Sequence, residues 1–327
     1  MPLPPDFAND FPPKCVREHF PLGPLTTYRV GGPARWALFP CNPDQLCAML
    51  HRLQECREPV QLVLGHGANV LVSDAGIPGV TLVLRHMDAW RLEDGLLVAD
   101  AGLAADRAVQ IAADAGLSGL EFLAGLPGTL GGAAWMNARA FERDMGSVLA
   151  WVETASPDGT LRRENCRPED FGYKKSPFMD RPGEIIVRAA LRLQPGERSG
   201  ISRLMEQYRG MRRARGEDRV LSCGCVFKNP ATREAPAGRL IDSCGLKGFG
   251  TKHAWVYARH ANFIVHDGHA TAAELRALFF EVRRIVAERT GVVLEPEVRF
   301  CGDFGETAEF TFHHDARRAA GEDAPCP

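Results

Sequence analysis

The 327-residue sequence predicts an α+β fold, and three observations lead there. Asp-Gly pairs stand between apolar runs at Asp94-Gly95 and Asp158-Gly159, the signature of tight β-hairpins. Segments with helical periodicity lie between those hairpins, which argues against a doubly wound parallel sheet. The two glycine loops, Gly65–Asn69 and Gly125–Gly132, do not follow the Gly-x-Gly-x-x-Gly spacing that opens a dinucleotide-binding βαβ unit.

Taken in order, residues 1–25 are proline-rich and read as an extended lead-in without a core of its own. Thr26 to Arg35 enters a strand and glycine turn. Asn42 is suited to an N-cap with Pro43 at the first helical position, and Leu46, Met49, Leu50 and Leu53 recur at helical spacing, so a helix should reach about Arg57. Val60–Leu64 and Val70–Asp74 read as strands around the first glycine loop, completing a first unit over 26–79.

The second unit, 80–195, should contain a strand at Val80–Leu84, the hairpin Trp90–Asp100 and a helix Ala104–Ala115 closed by Gly116. The second glycine loop follows, then the hairpin across Asp158-Gly159 and a strand at Ile185–Leu193. A third unit, 200–302, starts with a basic helix from Ile201 to Arg215. A loop Ser222–Pro230, a helix near Arg239–Cys244 and a strand Asn262–His266 come next. Thr271 and Glu274 form a capping box for a long helix whose apolar face is Leu275, Leu278, Val282, Ile285 and Val286. Gly291 ends that helix, and Val292–Phe300 reads as a strand able to return to an earlier unit. The polar stretch 310–327 is expected to lack structure.

Hydrophobic content of 45%, charged content of 24% and a net charge of -2 describe a globular protein without a global attraction to nucleic acid or anionic membrane. No apolar run approaches the roughly 18 residues of a membrane span. The N-terminus carries prolines and acids where a secretion signal needs basic and then apolar residues, so a cytoplasmic location is expected. The ten cysteines are scattered, which favours reduced thiols over a disulfide frame. Cys223 and Cys225 are spaced too tightly for a zinc knuckle. His266-x-x-His269 and His313-His314 are the histidine clusters, and no metal is expected at them.

Four glycines in the eight residues Gly125–Gly132 let a backbone turn sharply and approach a ligand closely. A helix opening behind them would present unbonded N–H groups, which suits a phosphate or pyrophosphate. With Gly65–Asn69 at another strand end, two small-residue loops could grip one diphosphate.

These segments together resemble the UDP-N-acetylenolpyruvoylglucosamine reductases over roughly residues 26–302. The resemblance rests on Thr27–Ala34, Gly65–Asp74, Gly119–Gly132, Val226–Pro230, Lys252–Ala254, His260–Val265 and Leu294–Phe300. It implies a two-subdomain FAD-binding fold of the vanillyl-alcohol-oxidase type, followed by an α+β substrate-binding domain. It also implies ping-pong chemistry. NADPH gives a hydride to non-covalently held FAD, and the hydride then passes to the vinyl carbon of UDP-N-acetylglucosamine enolpyruvate, in peptidoglycan precursor synthesis. By matching position, Tyr28, Arg29, Gly65, His66, Gly67, Ala68, Asn69, Gly125, Pro127, Gly128, Thr129, Gly132 and Asn137 would contact the cofactor. Arg215, Lys228, Asn229 and Arg299 would contact the substrate. The family further implies a monomer or weak oligomer, with no nucleic acid and no membrane insertion.

Hydride addition beside the substrate carboxylate builds charge that cations and donors must hold, and one acid must then quench the neighbouring carbon. The family supplies an arginine, a serine and a glutamate. Glu297 matches the glutamate. The arginine is Lys174 here, which keeps the charge but loses the planar two-bond fork. Loss of one charge-assisted bond costs roughly 1.5–3 kcal/mol, about ten- to a hundredfold in rate, unless Lys175 or water compensates. The serine is Cys225, a stronger acid with a reference pKa near ~8.5 that must still be protonated when used. Ala68 replaces a loop serine, and Arg139 stands where the family commonly has glycine.

Two rival readings follow from the same residues. Gly65-His66-Gly67 also fits a flavin oxidase of the same superfamily with the cofactor linked to His66, in which acid precipitation leaves the colour on the protein. Lys174 and Cys225 together also fit a catalytically impaired flavin- or nucleotide-sugar-binding protein, which NADPH would bleach and the sugar nucleotide would not reoxidise.

Overall fold

The structure of the protein, a computed structural model, describes residues 3, 7–231, 235–305 and 309–321. Strands and helices alternate with antiparallel hairpins, so the α+β class read from the sequence is the class observed. The chain divides into two compact units: Met1–Phe20, Ala34–His66 and Gly79–Met211 form the first, and Pro21–Pro33, Gly67–Pro78 and Arg212–Pro327 the second.

Local chemistry places the first unit's elements. Asn42 accepts a hydrogen bond from Gln45 N at 2.9 Å, Pro43 opens the helix Pro43–Glu55, and Leu46, Met49, Leu50 and Leu53 are its buried face. A four-stranded sheet runs in the order Val16–Pro21, Pro33–Leu38, Ile77–Val83, Val60–Leu64. Its last two strands are parallel, with Leu64 opposite Val83. A five-stranded antiparallel sheet follows the order Leu161–Asn165, Leu149–Ala155, Ile185–Arg192, Leu96–Asp100, Trp90–Glu93. Both Asp-Gly turns lie where expected, with Asp94 at φ 51, Gly95 at φ 74 and Gly159 at φ 83.

Both sheets share one apolar core, in which Leu46 and Val80 from the first join Leu97 and Val152 from the second. Through that shared core residues 34–66 of the expected first region lie in the same compact unit as 79–195, while 26–33 and 67–78 belong to the second unit. The lead-in expectation is corrected as well. Phe7 and Cys15 are fully buried in the same core, and Val16–Pro21 is an outer strand of the four-stranded sheet.

In the second unit, the short strands Ile264–His266, Ala254–Val256, Phe249–Gly250 and His313–His314 form a sheet in that order. The long helix Ala272–Thr290 ends at Gly291, φ 74, as its sequence requires. At its start only half of the capping box forms. Thr271 Oγ1 accepts from Glu274 N at 3.1 Å, but the Glu274 carboxylate turns away to Thr251 Oγ1 and His253 N. Asp74 satisfies two other donors of this first turn, taking Ala272 N at 2.8 Å and Ala273 N at 2.9 Å.

The strand Arg299–Cys301 returns to pair in parallel with Val70–Val72, and this pairing draws Gly67–Pro78 into the second unit. The expectation of a tail without structure is corrected over 309–321. Phe312 stacks on Phe249 at 5.9 Å, His313–His314 pairs with Phe249–Gly250, and Arg318 lies 4.1 Å over the Trp255 ring. Residues 322–327 lie outside the described residues. Among the described residues no helix is long and apolar enough to cross a membrane.

Candidate functional site

In the first unit the parallel pair Val60–Leu64 and Ile77–Val83 delivers the residues after Leu64 and Val83 to one carboxyl edge, the edge at which open α/β sheets hold ligands. Gly65 and His66 emerge there. So does Arg85, a half-buried cation absent from the sequence expectations, whose charge acts with burial to keep His66 neutral. The second glycine loop comes to the same place. A Cβ built on Gly65 would lie 2.4 Å from Thr129 Oγ1, so the loops meet across a contact that only glycine permits.

One part of the anion-site reading is corrected. The first N–H groups of the helix Leu130–Trp135 are already bonded inside the chain, Leu130 N to Leu103 O at 2.9 Å, Gly131 N to Ala101 O at 2.8 Å and Gly132 N to Thr129 Oγ1 at 3.4 Å. These acceptors come partly from a strand end some thirty residues earlier, which local sequence does not reveal. The loop itself turns through positive φ at Gly125, φ 72, and Gly128, φ 123. Gly125 N donates to Asp106 at 2.7 Å, anchoring the loop to the Ala105–Asp114 helix.

Lys174 sits at the tip of a tight turn, φ 53, closed by Gly172 N to Lys175 O at 2.9 Å and Lys175 N to Gly172 O at 3.1 Å. Asn137 holds that turn. Its Nδ2 donates to Gly172 O and its Oδ1 accepts from Gly146 N, both at 2.8 Å. The side chain expected to touch cofactor thus also braces the turn that carries Lys174. Lys175 forms an exposed pair with Asp180 at 3.4 Å.

In the second unit a row of backbone partners gathers the expected proton-transfer groups. Asn262 O accepts from Val226 N, Val226 O accepts from Glu297 N, and Glu295 O accepts from Lys228 N, all within 2.8–2.9 Å. The row continues through the parallel pairing of Arg299–Cys301 with Val70–Val72. Asn69 reinforces it, donating through Nδ2 to Glu297 O at 3.1 Å while its own carbonyl accepts from Arg299 N at 3.1 Å. Cys225, Glu297, Lys228, Arg299 and the Gly67–Asn69 half of the first loop are brought into one neighbourhood by this arrangement.

Cys225 and Glu297 also share an electrostatic neighbour. Both act on the fully buried Cys223 thiol, which burial holds far above its ordinary pKa, with the Tyr28 hydroxyl opposing and Glu297 and Cys225 reinforcing the shift. Cys223 therefore stays neutral, and half-buried Cys225 is the accessible thiol of the two. Arg212, also absent from the sequence expectations, lies within electrostatic reach of Cys225 and pairs with Glu217 at 3.3 Å. Its signal in the sequence is the run Arg212-Arg213-Ala214-Arg215; exposed Arg215, the substrate contact expected there, lies 3.5 Å from the same Glu217.

Several expected ligand contacts have internal duties. Tyr28 is fully buried, its hydroxyl donates to Ile264 O at 3.0 Å, and its carbonyl accepts from His266 Nε2 at 2.7 Å. Its neighbour Arg29 is held at φ 55. Asn229 Oδ1 accepts from Ala237 N at 3.0 Å, tying the loop to the Ala237–Ser243 helix. Lys228 Nζ pairs with Glu295 at 2.5 Å. Gly67, φ 61, packs against Leu25 and Thr26, where a Cβ would come within 2.7 Å of backbone.

Known proteins similar to this chain include reductases of one family. The family model for the FAD binding domain matches residues 34–165, and that for the C-terminal domain of UDP-N-acetylenolpyruvoylglucosamine reductases matches 217–301. The reductase of Heliobacterium modesticaldum is 39% identical, covering 91% of this chain and 94% of its own; that of a Synechococcus strain is also 39% identical, covering 89% and 93%. The crystal structure of the Thermus caldophilus reductase superposes with a TM-score of 0.72 at 34% identity, covering 88% of this chain and 98% of that one. The fold is accordingly the two-part flavin-binding type with an α+β C-terminal domain, and the chain belongs to the UDP-N-acetylenolpyruvoylglucosamine reductase family.

Proposed function

We propose that the protein is an FAD-dependent oxidoreductase that reduces UDP-N-acetylglucosamine enolpyruvate to UDP-N-acetylmuramate with NADPH, supplying a peptidoglycan precursor in the cytoplasm as a monomer or weak oligomer. The observation that carries this reading is the pairing of Glu297 N with Val226 O, which brings the backbone segments carrying Glu297 and Cys225 alongside each other in a family that handles a carbanion-like intermediate. The two glycine loops fit a dinucleotide: Gly65, His66, Gly67, Ala68, Asn69, Gly125, Pro127, Gly128, Thr129 and Gly132 would hold the FAD pyrophosphate, and Gly65 meets Thr129 where a Cβ would not fit. When bound there, FAD would supply the hydride chemistry that links NADPH to the vinyl carbon.

The chain's own residues supply the rest. Lys174, held on its turn by Asn137, steadies the charge that builds on the substrate carboxylate. Cys225 delivers the proton to the adjacent carbon, and Glu297 orients that transfer. Arg215, Lys228, Asn229 and Arg299 meet the sugar nucleotide's polar and anionic groups. Anaerobic NADPH should bleach the yellow protein, and the enolpyruvyl sugar nucleotide should restore the colour; bleaching without recovery would leave the second half-reaction, and this reading, unsupported. Acid should release the flavin to the supernatant.

Lys174 gives a further expected result. Lys174→Arg restores the planar fork and should speed flavin reoxidation by about tenfold, with an upper bound near a hundredfold, while leaving bleaching unchanged. Stopped-flow absorbance of the two half-reactions measures both. A slower reoxidation in the arginine variant would show that this turn was adapted to the point charge.

A further inference from the structure

Asn262 belongs to the segment His260–Val265, which marked the family in the sequence but was given no task. Its side chain is 3% exposed and makes a two-point clamp on one residue, Oδ1 accepting from Phe227 N at 3.0 Å and Nδ2 donating to Phe227 O at 2.8 Å. Its carbonyl accepts from Val226 N at 2.9 Å. On the opposite side Val226 O accepts from Glu297 N at 2.9 Å. Both polar backbone groups of Val226 and both of Phe227 are therefore held, two of the four by a single amide side chain that stands in for a strand edge. Cys225 is the next residue toward the N-terminus, and Lys228 the next toward the C-terminus.

The clamp is itself fixed. Asn262 N donates to His260 Nδ1 at 3.3 Å, which requires an unprotonated nitrogen there, and burial lowers the His260 pKa in the same sense. Phe227 is 1% exposed and packs edge-on against Phe279 at 6.1 Å, so its backbone cannot turn to water when the amide is lost.

We infer that Asn262 is a positioning residue for the proton transfer, acting through the Val226–Phe227 backbone to hold Cys225 against Glu297. The inference rests on the proposed donor role of Cys225. It assigns the amide a task that neither carboxylate nor alkyl can perform, because Phe227 needs an acceptor and a donor at once.

The test is a comparison of half-reactions in Asn262→Asp and Asn262→Ala, with Cys225→Ala beside them. Asn262→Asp keeps an acceptor for Phe227 N and sets a second acceptor against Phe227 O. Flavin affinity and the rate of anaerobic NADPH bleaching should stay within about twofold of the parent. Reoxidation by the enolpyruvyl sugar nucleotide should fall about tenfold to a hundredfold, as expected when a reacting group is misplaced by a fraction of an ångström to an ångström. The solvent deuterium effect on reoxidation should rise as proton delivery becomes limiting. If both half-reactions and the melting temperature decline together, or if reoxidation is unchanged, Asn262 has no positioning role. Should Asn262→Ala not fold, Asn262→Asp decides by the same readings. A fast Cys225→Ala would sink the donor reading itself, whereas a slow Cys225→Ala with a fast Asn262→Asp would sink only the present inference.

Discussion

Cys225→Ala should reduce the rate of flavin reoxidation by about 10²–10⁴, the usual worth of a positioned general acid, and leave NADPH bleaching intact. Cys225→Ser should retain most of the reoxidation rate, because the hydroxyl occupies the position used by the family. The pH profiles separate the two acids. A thiol donates only while protonated, so in the parent protein reoxidation should be full below the thiol pKa and decline as pH rises through it. The serine variant should lose that alkaline limb, since a hydroxyl stays protonated throughout. Cys223 cannot imitate the limb: burial keeps its thiol protonated far above the ordinary range. Iodoacetamide offers a second reading, because half-buried Cys225 is open to it and Cys223, at 4% exposure, is not. Alkylation should stop reoxidation without affecting bleaching. Full reoxidation in Cys225→Ala would remove the thiol from the chemistry.

The features legible in the sequence are those that depend on neighbours a few residues away. Asn42 with Pro43, Thr271, Gly291 and the two Asp-Gly turns each fix a boundary through local bonds or φ angles, and each boundary lies where it was expected. What the sequence hid depends on pairing between distant segments. Arg85 reaches the first glycine loop only because Leu64 and Val83 are partners in a parallel pair. Arg212 and Asn262 come near Cys225 through the packing of the second unit. The helix at Leu130 was expected to offer unbonded N–H groups, but Ala101 and Leu103 satisfy two of them from a remote strand end. Tyr28, Asn137 and Asn229 read as ligand contacts from their motifs, yet their side chains hold Ile264, the Gly172 turn and the Ala237 helix start. A motif thus marks a place near the chemistry without saying whether a residue meets the ligand or braces the residue that does.

Gly65→Ala should weaken flavin binding by roughly 1–3 kcal/mol, the usual cost of overpacking, which is about 5- to 150-fold in Kd. The added methyl would stand 2.4 Å from Thr129 Oγ1 and 3.0 Å from its Cγ2, so the threonine must move. Thr129 is 3% exposed and caps the Leu130–Trp135 helix through Gly132 N, and displacing it shifts the second glycine loop and weakens the cap together. Thr129→Ala removes both offending atoms and leaves only Cβ, at 3.3 Å. The two substitutions should therefore couple strongly. Alone, Thr129→Ala loses the cap, worth about 1 kcal/mol, and binds flavin modestly less well. Combined with Gly65→Ala it should bind flavin more tightly than Gly65→Ala by itself, a rescue that independent sites cannot produce. Fluorescence titration of the four apoproteins with FAD, alongside their melting temperatures, completes the cycle. Additive losses would mean that the contact between the loops does not govern cofactor binding, and the pyrophosphate cradle would have to be sought in one loop alone.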